Sequence, residues 1–131
     1  MHGDRTVEAR RWQYLIASAF LILGGWCLIA PANVVDLTVL PEKRNSLPLT
    51  SVAIGAFGAQ AMLVGLVSTT SHFTARTFVA MDFAMLSFFI FDLWLYFKQP
   101  LFTELILLDV MGNVAMLGAC MRGWWLLQQQ F

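Results

Sequence analysis

Six polar side chains stand in or beside stretches that are otherwise apolar: Gln60, Asp82, Asp92, Glu104, Asp109 and Asn113. The segment "MDFAMLSFFIFDLWLYF", residues 81–97, holds Asp82 and Asp92 and no base. On a helix, ten residues turn the second aspartate about 80° from the first and carry it about 15 Å along the axis. Asp109 and Asn113 are four apart and share one helical face. A charged aspartate at the centre of a bilayer costs about 2.5–3.5 kcal/mol, so each acid needs a physical answer. Three answers exist. The acid keeps its proton, it hydrogen-bonds across helices to Gln60, Ser87, Tyr96 or Asn113, or it meets a cation brought by an ion, by water or by another subunit. Arg76 and Arg122 are the bases within reach of Asp82, and Lys98 is the base within reach of Asp92 or Glu104.

The elements that must hold these groups are four apolar stretches, at about residues 12–30, 49–70, 74–97 and 101–127. Hydrophobic residues make up 59% of the chain and charged residues 12%, with a mean hydropathy of +0.70. Soluble domains carry about 25% charge, and 131 residues cannot fold that much apolar surface into one water-soluble core. Each stretch spans a hydrocarbon core of roughly 30 Å as a helix, and helix is the form that satisfies its own backbone there. The expectation is a single domain, all-α: an integral membrane, antiparallel bundle of four transmembrane helices.

The connections agree. "PANVVDLTVLPEKRNSLP" is the one long loop, with residues 34–40 able to lie flat on the interface. "STTSHFTAR" supplies hydroxyls that cap helix ends. "FKQP" is short enough to make the third and fourth spans antiparallel neighbours, with Pro100 in a first helical turn. Arg5, Arg10, Arg11, Arg76 and Arg122 fall on one side and Lys43, Arg44 and Lys98 on the other. That bias puts both termini inside, on the cytoplasmic side of a bacterial plasma membrane or the matrix side of an organelle inner membrane. Trp12, Tyr14, Trp124 and Trp125 suit an aromatic belt on that side. "RRWQYLIASAFLILGGWCLIAPA" also has the look of a signal peptide, but its apolar run is long and a proline divides its two exit alanines.

Small residues mark the faces expected to pack. Gly55 with Ala59 and Ala61 with Gly65 are each four apart on the second span, and the fourth span repeats the theme with Ala115 and Ala119. Such spacing lets two backbones approach closely in lipid.

Much chemistry is argued against. His2 and His72 both lie outside the spans, so one chain cannot ligate haem with two intramembrane histidines. The same scarcity argues against zinc. Cys27 and Cys120 fall toward opposite ends and should not bridge. No phosphate loop, nucleophile elbow or HExxH is present, and zero net charge advertises no nucleic acid. The chain reads as a non-enzyme without cofactor or metal, in contact with lipid.

"LGGWCLIAP" followed by a loop and "GAFGAQAMLVGL" resembles the first half of small DoxX-like four-helix membrane proteins. Those carry a glycine in the first helix, a proline just beyond it and a small-residue-rich second helix. The resemblance covers the first two spans and implies a four-helix membrane fold linked to redox membrane complexes. The functional expectation is a non-catalytic accessory or structural subunit of a larger protein complex, its acids and small-residue faces meeting partner membrane helices. The alternatives are a homo-oligomeric proton- or cation-linked transporter or channel using Asp92 and Asp109, and a lipophile-binding protein with a pocket of Phe88, Phe89, Phe91 and Trp94.

Overall fold

The computed structural model describes residues 2–44, 48–98 and 103–128. The described residues form helices and no strand: α1 (His2–Ile29), α2 (Pro31–Thr38), a short 3₁₀ turn (Pro41–Lys43), α3 (Pro48–Thr70), α4 (Ala75–Lys98) and α5 (Leu105–Gln128). Four of them, α1, α3, α4 and α5, are long and apolar enough to cross a membrane.

Local chemistry sets the breaks. Proline disfavours α-helical backbone in the residue before it, and Ala30, before Pro31, has left the helix at φ −131° and ψ 59°. Pro31 then starts α2, where its missing N–H is no loss. The last carbonyls of α2 find donors from outside the helix. Arg44 Nε donates to the Val39 oxygen at 3.0 Å and its Nη2 to the Asp36 oxygen. Thr103 donates its backbone N–H to the Thr38 oxygen at 2.6 Å and its hydroxyl to the Leu37 oxygen at 2.8 Å. The far end of α2 is thereby tied to the approach to α5.

At the opposite end, hydroxyls close α3. Thr69, Thr70 and Ser71 each donate to a carbonyl four residues back. Thr74 opens α4: its Oγ1 accepts the Thr77 N–H at 3.2 Å while Thr77 Oγ1 accepts the Thr74 N–H at 3.2 Å, a reciprocal cap. The expected "FKQP" turn and the place of Pro100 lie outside the described residues.

Two helix ends differ from the ends of the apolar stretches. α1 reaches back to His2, so the polar "HGDRTVEARR" is helical and carries the helix about 15 Å beyond its apolar part. α5 begins at Leu105, four residues later than the expected fourth span. A tight turn leads into it, Ile106 and Leu107 donating to the oxygens of Thr103 and Glu104, and Glu104 is left exposed ahead of the helix.

α1 is the centre of the arrangement. It packs against α3 on one side and α5 on another, and α5 packs against α4. α3 and α4 follow one another in sequence but do not pack along their lengths. The main core lies among α1, α4 and α5, from Ala9, Ile16, Phe78, Met85, Met116, Ala119, Cys120 and Leu126. Phe78 lies directly over Gly123, where any side chain would strike its ring.

The α1–α3 seam is backbone on backbone. A Cβ on Gly24 would stand 2.8 Å from the Met62 nitrogen and 2.9 Å from the Gly58 oxygen, and one on Gly58 would meet the Gly24 oxygen at 2.7 Å. Gly65 receives Leu21. Of the expected small-residue faces, Ala61 and Gly65 are therefore in the seam. Gly55 has open space before it and Ala59 is exposed. The seam runs through Gly58, Ala61, Gly65 and Ser68, three or four residues apart, which is the helical repeat. Ala119 is in the core and Ala115 is exposed.

Outside this core the helices present large apolar side chains. Only 17–28% of the apolar window of each long helix is buried.

Candidate functional site

The missing contact between α3 and α4 leaves a cavity of about 530 Å³ toward the α2 end of the fold. α1 contributes Leu23, Trp26 and Cys27, and α2 contributes Val34 and Thr38. α3 supplies Ile54 and Phe57, while Phe88, Phe91, Asp92 and Leu95 come from α4. Leu105, Ile106, Leu108 and Asp109 of α5 complete the wall. It is apolar apart from two carboxyl groups, a hydroxyl, a thiol and the indole of Trp26, which is engaged with Asn33 Oδ1 at 3.0 Å.

The carboxyls arrive from two helices. Asp92 lies on the inner face of α4 with Met85 and Leu95 and is buried. Asn113 of α5 donates its Nδ2 to Asp92 Oδ2 at 2.6 Å. Asp109, one turn before Asn113, stands within hydrogen-bonding reach of Asp92 and is itself exposed. Among the described residues no lysine, arginine or histidine lines the cavity. The one ion pair between described residues, Arg122 Nη2 to Glu8 Oε1 at 2.9 Å, lies at the other end.

The structure thus brings together three of the six polar residues singled out from sequence: Asp92, Asp109 and Asn113. The rest are elsewhere. Gln60 is exposed on α3, on the face turned away from the glycine seam, and meets neither aspartate. Glu104 precedes α5. Asp82 lies beside Cys120 and has a buried Oδ1 with no hydrogen-bond partner among the described residues. Neither expected base reaches it, because Arg122 is engaged with Glu8 and the ring of Trp125, and Arg76 is exposed. Both cysteines are free and buried.

The four aromatics of the expected pocket divide between the cavity and the outside. Phe88 and Phe91 face the cavity. Phe89 is outside its lining, and Trp94 is stacked on Phe91 at 6.5 Å from the exposed side.

The strongest polar junction was not foreseen. Gln13 is 2% exposed, and its Nε2 donates to the oxygens of Ser68 and Ser71 at 2.6 and 2.8 Å. Its Oε1 accepts the Phe73 N–H at 3.1 Å. One amide therefore holds the α3–α4 turn against α1. Its only mark in the sequence is a lone amide where the apolar run begins. Arg10 adds a second tie, reaching His72 Nδ1 and the Tyr14 hydroxyl.

The chain matches no family model, no curated protein and no solved structure.

Proposed function

We propose that the chain is an integral membrane protein whose four spans run antiparallel and whose cavity binds a small lipophilic molecule, without catalysis. The observation that carries this reading is the 530 Å³ cavity, apolar except for a few converging polar groups. Small-molecule sites have this character, at roughly 300–1,000 Å³. Membrane insertion is supported by the apolar exterior of all four long helices. The antiparallel course is supported by contacts at both ends: Glu8 of α1 with Arg122 of α5 at one, Thr38 with Thr103 at the other. The charge bias supports both termini on the cytoplasmic or matrix side.

Native mass spectrometry after mild extraction tests the reading. The expected result is a chain carrying a small hydrophobic adduct, absent from Ile54→Trp, which fills the cavity from α3. A wild-type chain that retains no adduct in any mild amphiphile overturns it.

The unpacked edge between α3 and α4 favours a second reading, an accessory subunit of a larger membrane complex. A helix of another subunit would close the cavity there, and the DoxX-like resemblance points the same way. The same experiment separates the two, because a subunit leaves the membrane with other proteins attached.

A further inference from the structure

We infer that the occupant of the cavity is a cationic amphiphile, an organic ammonium group on an apolar body, with its nitrogen against Asp92 and Asp109. The inference rests on the ligand-binding reading above and goes further by assigning the charge of the ligand.

The argument is charge complementarity in an apolar cavity that is open on one side. Two carboxyl groups converge on the wall, and among the described residues no base is paired with either. Asn113 occupies one acceptor position on Asp92 Oδ2, and a carboxylate offers about four such positions. The acceptors left over at Asp92 and Asp109 suit the three donors of an ammonium group. Calcium fits poorly, since it takes six to eight oxygens. The described side chains of the wall offer two carboxyls and the Thr38 hydroxyl. The rest is hydrocarbon, ring and the Cys27 thiol, including Trp26, Phe57, Phe88 and Phe91. Those surfaces accept an alkyl or aryl body, and aromatic faces attract an adjacent cation. Asp109 lies on the exposed side and Asp92 is buried.

The test uses the full chain in nanodiscs of phosphatidylcholine and two probes with the same bromine-tipped dodecyl tail, one a primary amine and the other an alcohol. Bromine quenches tryptophan on contact, and Trp26 lines the cavity. The chain has five tryptophans, so Trp26→Phe identifies the signal that reports the site. The amine is expected to quench Trp26 at a concentration at least about tenfold below the alcohol. Asp109→Asn is expected to erase that difference and leave the alcohol titration unchanged. Asp92→Asn, which keeps an acceptor for Asn113, serves as the second carboxyl variant.

Amine and alcohol binding alike overturns the cationic assignment, consistent with two acids that hold a proton between them, and leaves the ligand-binding reading standing. A preference for amine that survives both variants also overturns it, because the charge is then recognised elsewhere. No quenching of Trp26 by either probe, in protein that stays helical and monodisperse, overturns the assignment and the ligand-binding reading together.

Discussion

Single residues here differ sharply in what their loss should do, and burial with partner count decides the ranking. Gln13 is buried and makes three hydrogen bonds to the backbone of the α3–α4 turn. Leucine in its place is nearly isosteric but strands two carbonyls and one N–H. Each buried orphan costs about 1–3 kcal/mol, so Gln13→Leu should destabilise the fold by on the order of 3 kcal/mol. A lowered midpoint of unfolding in mixed micelles would show it, and an unchanged midpoint would mean the amide is dispensable. Glu8 and Arg122 form an ion pair of similar directness, but their side chains are 40% and 43% exposed. Pairs of that kind are worth little in water, and Glu8→Gln should move the same midpoint by less than about 0.5 kcal/mol. Asn113→Leu removes the amide donor from buried Asp92 and should fall nearer the Gln13 result, at about 1–3 kcal/mol.

Between elements, the deciding quantity is how closely two helix axes approach. α1 and α3 touch through Gly24 and Gly58 with no room for a Cβ on either. Gly58→Ala must push the helices apart along the seam and should cost about 1–3 kcal/mol. Gly55 lies less than one turn away on the same helix and faces open space. Gly55→Ala should be neutral, or stabilising by up to about 1 kcal/mol from helix propensity. Paired unfolding curves of the two variants check this, and equal losses would refute the assignment of the seam to Gly58. The α4–α5 junction has its own close approach, Phe78 on Gly123. The α1–α3 and α4–α5 contacts therefore each include a glycine, whereas α3 and α4 do not pack on one another and leave the cavity between them.

At the scale of the whole molecule, the telling feature is that the apolar surface lies outside. Ile22, Ile29, Leu49 and Phe97 are each more than 70% exposed. In water that surface would drive aggregation; in lipid it is the ordinary exterior. Four spans require both termini on one side of the membrane. Accessibility reporters fused at each end of the chain in turn should respond from the same side, the one carrying the arginine excess. Reporters answering from opposite sides would mean an odd number of crossings and would end the antiparallel four-span reading.

Composition and the length of the apolar runs were enough to indicate four long helices, because hydropathy summed over some twenty residues depends on no neighbour. Their ends were legible where a local rule governs them: Pro31 closing α1, Thr74 opening α4. The start of α5 was not, since Thr103 and Glu104 are shaped by bonds to each other's turn and to α2. The four-residue spacing of Asp109 and Asn113 placed them on one face from sequence alone. Which face of each helix turns inward was decided only in three dimensions. Small residues recur all round α3, and nothing local distinguishes Gly58 from Gly55 or sends Gln60 outward. Only the packing of α1 against both α3 and α5 makes those choices. The same packing pairs Asp92 with Asn113, leaves Asp82 without a base among the described residues, and opens a cavity between two helices that are consecutive in the chain.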